Sequence, residues 1–149
     1  VPHEVNPTIL SELELELNKI NLNYIFLSNL NKLENSRVVI IDKIGILADL
    51  YKYSNISYIG AGFDLGVHSV IEPAIYNNAI SFGPNFHILD MAVSLIDNNL
   101  ASIIKSSDDF SEFCALLDNN DKLAKIKYKL NKFIKDKSGA SIKIINEIF

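Results

Sequence analysis

Residues suited to chemistry are concentrated in one stretch, Tyr58–Pro84, which holds four of the six glycines and two of the four prolines. His68 and Ser69 begin a predicted helix whose first turn includes Glu72. The helix dipole favours a carboxylate there, but a fixed carboxylate can also accept hydrogen bonds from both hydroxyls of a ribose. The spacing supports a cap and a ligand contact equally. The preceding loop can adopt positive φ angles or lie against a ligand because it contains three glycines: Gly60, Gly62 and Gly66.

Two further junctions follow predicted strands, at the end of a strand where open α/β sheets bind ligands. At the first, His3 could donate a hydrogen bond to a phosphate or to the edge of a pyrimidine, or it could be an ordinary polar loop residue. At the second, Gly45 would let backbone amides approach an anion closely. A single glycine at such a turn, considered by itself, favours a plain tight turn.

Several kinds of site are excluded or unsupported. The pattern G-x-G-x-x-G does not follow the first strand and no G-x-x-x-x-G-K-[ST] occurs, so NAD-type and P-loop sites lack support. His3, His68 and His87 lie far apart, without metal-ligand spacing. The single Cys114 excludes an internal disulfide and a cysteine-based zinc site. The net charge of -4 argues against a general nucleic-acid binder. We therefore expect no metal and no cofactor.

The elements that must position these residues alternate between strands and helices. Short apolar runs predicted as strands are each followed by a segment of roughly ten residues predicted as a helix. This alternation predicts an α/β fold, with a Rossmann-like parallel sheet and helices on both of its faces. The chain of 149 residues is long enough for one such domain. The predicted strands are "RVVIID", "ISYIGA", "AISFG" and "LASIIK".

Two segments have patterns that fit more than one interpretation. "ELELEL" alternates like a strand, but Ile9, Leu13 and Leu17 share one helical face and Glu and Leu are good helix formers, so we predict a helix. Near the C-terminus, we predict a helix whose lysines lie on its solvent-exposed face. The alternative is that these lysines contact an anionic membrane. Asp121 and Asp136 interrupt the lysines, which favours a solvated face. The apolar stripe of this helix is formed by Leu123, Ile126, Leu130 and Phe133.

Four stretches resemble, in order, the C-terminal, donor-binding half of 3-deoxy-D-manno-octulosonic acid (Kdo) transferase, a family of lipopolysaccharide biosynthesis. They are "VPHE", "VVIIDKIGILADLYKYSNISYIGAGF", "GVHSVIEPAIYNNAISFGPNF" and "SGAS". The run from His68 through "IEPA" to "FGP" is the most specific. Glycosyltransferases with two Rossmann-like lobes often have a Glu-Pro pair there, and "DKIGIL" joined to "FGP" narrows the resemblance to this family. Because the chain begins at Val1 without a methionine, we expect it to be a piece of a longer protein.

The resemblance implies the C-terminal lobe of a two-lobed (GT-B) glycosyltransferase, with residues 1–137 as the nucleotide-sugar-binding lobe and 138–149 as a helix packing toward an N-terminal lobe. It implies inverting, metal-independent transfer of Kdo from CMP-Kdo to the lipid A precursor, at the cytoplasmic side of the bacterial inner membrane. The general base and the acceptor site would belong to the N-terminal half, so we expect this chain alone to be soluble and inactive. The residues implied to bind CMP-Kdo are Pro2, His3, Ile44, Gly45, Ile46, Ser69, Val70, Ile71 and Glu72, with Gly62, Gly66 and His68 as further loop contacts.

Three positions depart from the pattern of many family members. Many family members have arginine at the position of His3, Met-Gly-Glu at the positions of Ile44–Ile46 and asparagine at the position of Ser69. Histidine in place of arginine weakens a charge-assisted phosphate contact at neutral pH, whereas Gly45 keeps its backbone contact. The alternative interpretation is a non-catalytic Rossmann-like module that binds a nucleotide or docks a partner.

Overall fold

Two parallel sheets organise the part of the chain that the structure describes, which comprises residues 1–2, 4–32 and 36–138. The structure is a computed structural model. Contacts between Cα atoms divide the chain into two units, one from Val1 to Asp49 and one from Leu50 onwards. The predicted α/β class, with parallel strands flanked by helices, is confirmed.

The first unit begins with the helix predicted over "ELELEL". Its N-cap is Asn6, whose side chain accepts a hydrogen bond from the Ile9 N–H at 3.0 Å, and a proline follows at the first helical position. Residues 1–2 and 4–6 form no strand. The elements of this unit are α1 (Pro7–Lys19), β1 (Tyr24–Phe26), β2 (Val38–Ile40) and α2 (Leu47–Leu50), the last continuing across the boundary. β1 and β2 pair in parallel.

The second unit contains a parallel sheet with the strand order β3-β4-β5. The register places Ile56 opposite Ala79 and Ile80 opposite Ala101. All three strands therefore end at the same edge, and the loops that leave that edge carry the predicted glycine-rich stretch. In chain order the elements are β3 (Ile56–Ile59), α3 (Ile71–Ile75), β4 (Ala79–Phe82), α4 (Asp90–Asp97), β5 (Ala101–Ile103), α5 (Ser107–Cys114) and α6 (Asn120–Lys137).

Both faces of β4 are covered, because every residue of this strand is buried. Ile80 and Phe82 join a core cluster with residues of α3, α4 and α6. Ala79, on the alternate face, joins a second cluster that includes Phe113 of α5 and Leu123 of α6. The second unit thus has helices on both faces of its sheet, as the sequence predicts.

Helix ends follow the predicted chemistry in some places and not in others. At the start of α5, Ser106 and Asp109 form a capping box, which the three-residue spacing of a serine and an acidic residue in the sequence indicates. The helix predicted from His68 instead spans only Ile71–Ile75. The residues before it belong to a loop that is hydrogen-bonded to the loop after β4. The stripe of α6 is confirmed, since Leu123 and Leu130 are buried and the other two members pack against the core. The predicted helix 138–149 lies outside the described residues, apart from Ser138.

Candidate functional site

The loop that follows β3 packs backbone to backbone against the loop that follows β4. A Cβ atom built on Gly62 would lie 2.5 Å from the Gly83 nitrogen, and one on Gly83 would lie 2.5 Å from the Gly62 carbonyl carbon. Gly66 has a φ of +93°, a left-handed conformation that glycine adopts without strain. Two of the three glycines of the predicted loop are therefore required by the folding of the loop itself.

Asn85 joins these two loops by hydrogen bonds from both its backbone and its side chain. Its N–H donates to the Gly62 carbonyl at 2.8 Å, and its carbonyl accepts from the Val67 N–H at 3.1 Å. Its Nδ2 donates to the Phe63 carbonyl at 2.9 Å. Sequence reasoning missed Asn85 because its partners lie about twenty residues away along the chain and no local motif marks them.

The segment that follows the loop carries most of the predicted nucleotide contacts. Val67 and Val70 are buried in the core and hold the segment at two points. Because the Val70 side chain is fully buried, only its backbone could meet a ligand. His68 is exposed and Ser69 is half-buried, and Ile71 is 44% exposed. The segment therefore offers a row of accessible groups on an anchored backbone.

Glu72 is exposed in the first turn of α3. No side-chain hydrogen bond caps this helix, whose N-cap residue is Val70. Because α3 has only five residues, its dipole stabilises a carboxylate at its N-terminus only weakly. The capping interpretation of Glu72 thus has little support, and the carboxylate is placed where a ligand could reach it.

Tyr51 is a neighbour of Glu72 that the sequence did not indicate. Burial raises the pKa of the Tyr51 hydroxyl above its usual value, and the negative charge of Glu72 raises this pKa further. The Tyr51 carbonyl accepts a hydrogen bond from Nδ2 of the buried Asn78 at 3.1 Å. This part of the chain is therefore fixed to the start of β4.

The first unit contains the remaining predicted site residues that the structure describes. Gly45 has a φ of +84° and open space where a Cβ would be, so backbone conformation rather than crowding favours glycine there. Ile44 beside it is 84% exposed, Ile46 is half-buried and Pro2 is half-buried. His3 lies outside the described residues. Pro2 and the 44–46 turn thus belong to one unit, and the loop and helix start from Gly62 to Glu72 belong to the other.

The Ile44–Ile46 turn follows a hydrogen-bonded carboxylate at the end of β2. The Asp42 carboxylate accepts hydrogen bonds from both the N–H and the hydroxyl of Ser28, which follows β1. The hydroxyl hydrogen bond is the main reason that the pKa of Asp42 lies below its usual value. The ends of the two strands are thereby tied together immediately before the turn.

Across residues 1–2, 4–32 and 36–138, no group of three or more His, Cys, Asp and Glu side chains is arranged to hold a metal ion. No helix in the same ranges is long and apolar enough to cross a membrane.

Comparisons with known proteins bear on this arrangement. No model of a protein family matches the chain. A 3-deoxy-D-manno-octulosonic acid transferase of Rickettsia conorii is 33% identical over 113 residues, which cover 73% of this chain and 24% of that protein. The transferase of the same name from Chlamydophila psittaci is 28% identical over 116 residues, or 76% of this chain and 27% of that protein. The chain resembles Kdo transferases. It spans about a quarter of the length of these curated relatives.

The likeness to Kdo transferases extends to the fold. The solved C-terminal CMP-Kdo binding domain of WaaA from Acinetobacter baumannii superimposes with a TM-score of 0.76, covering 87% of this chain and 69% of that domain. The two sequences are 20% identical, so this match concerns the fold. The resemblance to the C-terminal half of Kdo transferases, predicted from the quoted stretches, is confirmed.

Proposed function

We propose that this chain is the donor-binding part of a Kdo transferase and that it binds CMP-Kdo. The similarity in sequence to Kdo transferases over 73% of the chain carries the proposal. The fold shared with a domain described as binding CMP-Kdo supports it. The anchored, accessible segment that ends at Glu72 gives such a ligand a place to bind.

In this proposal the nucleotide is held by the segment from Ser69 to Glu72. The Glu72 carboxylate accepts hydrogen bonds from the two ribose hydroxyls, which a carboxylate at a strand-to-helix junction does in other nucleotide sites. Ser69 and the backbone of Val70 and Ile71 contact the rest of the CMP. The placement of the ribose on Glu72 is supported by geometry, since Glu72 is exposed and no side-chain hydrogen bond caps its helix.

The phosphate of CMP is assigned to the turn after β2. Gly45 adopts a positive φ with open space where a Cβ would be, and the backbone amides of Ile44–Ile46 are proposed to bind the oxyanion. Pro2 and His3 would complete the contacts to CMP. These assignments follow the positions of the family's motif, and His68, Gly62 and Gly66 are proposed as further loop contacts.

The reaction of the whole enzyme is proposed to invert the anomeric carbon of Kdo without a metal ion. The acceptor hydroxyl of the lipid A precursor attacks that carbon, the bond to the CMP phosphate breaks, and the hydroxyl proton passes to a general base. The base and the acceptor site are assigned to an N-terminal lobe of a GT-B enzyme at the cytoplasmic side of the inner membrane. The chain described here would therefore bind the donor without transferring Kdo.

Calorimetric titration of the chain with CMP, UMP and UDP tests the proposal. We expect CMP to bind more tightly than either uridine nucleotide, and Glu72→Ala to weaken CMP binding by about tenfold or more, because a hydrogen bond to a charged group contributes roughly 1.5–3 kcal/mol. Asp90→Ala is the matched control, since Asp90 is also an exposed first-turn carboxylate without a side-chain cap bond. Equal binding of all three nucleotides, or an equal effect of both variants, would overturn the assignment.

A further inference from the structure

We propose that Asn85 is a positioning residue for nucleotide binding, acting through the loop that leads into α3. This inference rests on the proposed function of the segment from Ser69 to Glu72. Asn85 itself follows β4 and is exposed. Its contribution comes from the four hydrogen bonds it makes to a single loop, the one that follows β3.

These four bonds hold the loop on both sides of Gly66. Before it, the Asn85 N–H donates to the Gly62 carbonyl at 2.8 Å, and Nδ2 donates to the carbonyls of Phe63 at 2.9 Å and Asp64 at 3.5 Å. After it, the Asn85 carbonyl accepts from the Val67 N–H at 3.1 Å. One residue thus sets both the entry and the exit of the loop, and its exit is directly joined to His68.

The glycines of the two loops allow this grip. The Gly62 and Gly83 backbones lie too close for any Cβ between them, which brings the residues just after Gly83 within hydrogen-bond reach of the first loop. Gly66 turns the loop with its positive φ, and a Cβ there would lie 3.3 Å from the Asn85 carbonyl oxygen. The loop and Asn85 are therefore fitted to each other over their whole contact.

The side-chain bond is separable from the packing of the core. Asn85 is exposed, so removing its amide leaves no buried cavity. The Phe63 and Asp64 carbonyls would lose the Nδ2 donor, and the loop would lose two of the bonds that fix its path. The loop runs from Phe63 through Gly66 directly to His68 and Ser69, so a less ordered loop entry loosens these proposed nucleotide contacts, while buried Val67 and Val70 keep the core packed.

Calorimetry with CMP and hydrogen exchange of backbone amides test this role. We expect Asn85→Ala to weaken CMP binding by about three- to tenfold, and Asn85→Asp, which keeps the size but removes the donor, to weaken it at least as much. The amides of Gly66 and Val67 should exchange faster in both variants, while those of β4 keep their rates. Asn98→Ala is the control, because Nδ2 of the exposed Asn98 also donates to a carbonyl, that of Ser94 at 2.8 Å, but at the far end of α4.

The outcomes separate the two proposals. If Glu72→Ala loses CMP and both Asn85 variants bind like the unaltered chain, the positioning role is overturned and the proposed function stands. If Asn98→Ala weakens binding as much as Asn85→Ala, the effect is a general loss of stability and the positioning role is again overturned. If the unaltered chain does not select CMP, both proposals fall together.

Discussion

At the scale of single residues, Gly62 illustrates how packing accounts for a position that looks like a ligand contact. Its missing Cβ would meet the backbone of Gly83 at 2.5 Å, and backbone cannot move aside as a flexible side chain can. We expect Gly62→Ala to lower the free energy of unfolding by about 1–3 kcal/mol, the usual cost of overpacking. Urea denaturation measures this change.

Gly60→Ala provides the comparison for that experiment, because a Cβ on Gly60 would meet nothing within 4 Å. It should change the free energy of unfolding by no more than roughly 0.5 kcal/mol, as exposed substitutions usually do. Equal losses in the two variants would contradict the packing explanation.

The sequence could suggest candidate site residues but not the contacts that hold them in place. Glu72 could be singled out because glycines, a histidine and a Glu-Pro pair occur together within one stretch, and because that stretch resembles a known family. Asn85 and Tyr51 could not, since each acts through a residue about twenty positions away and neither has a distinctive neighbour. Long-range contacts of this kind leave no periodic signal in one sequence.

At the scale of elements, the capping box of α5 gives a pH dependence with a definite sign. The N–H of Lys105 is the main cause, followed by Ser106, of a pKa of Asp109 below its ordinary value. A carboxylate whose pKa is lower in the folded state stabilises the fold above its unfolded pKa of about 3.9. That contribution is lost as the pH falls through the folded pKa.

Asp109→Ala should therefore lower the urea midpoint at pH 7, and the gap to the unaltered chain should narrow as the pH falls below about 4. Urea titrations between pH 7 and pH 3 at constant ionic strength measure the gap. Asp108→Ala, in the same first turn but outside the capping box, is the control. A gap of the same size at pH 3 and pH 7 would refute the assignment.

Elements were predicted where local signals agree, and their limits shifted where tertiary contacts dominate. α1 and α5 begin at the capping residues that the sequence indicates, Asn6 and Ser106. α3 begins three residues later than predicted, because Val67 donates to Asn85 and Val70 is drawn into the core. A side-chain cap can be recognised from residues that are close together in the sequence. A hydrogen bond between two loops that are distant in the sequence cannot.

At the scale of the whole molecule, parallel strands ending at one edge place the loops of β3 and β4 side by side. The alternation of strands and helices predicted this arrangement for the second unit, and all-buried β4 shows why the helices lie on both faces. The separation of β1 and β2 into a sheet of their own was not predicted, because a two-stranded parallel sheet has the same local pattern as part of a larger one.

Donor binding and Kdo transfer make different demands on the chain as a whole. Binding of the donor requires only the residues proposed above, whereas transfer also requires a base and a positioned acceptor hydroxyl, which together raise the reaction rate by many orders of magnitude. We therefore expect the chain to bind CMP but not to add Kdo to a lipid A precursor when supplied with CMP-Kdo. Mass spectrometry of the lipid measures transfer, with a full-length Kdo transferase as the positive control. Formation of the Kdo-bearing lipid by this chain alone, abolished in Glu72→Ala, would contradict the assignment of the catalytic groups to another lobe while supporting the donor site.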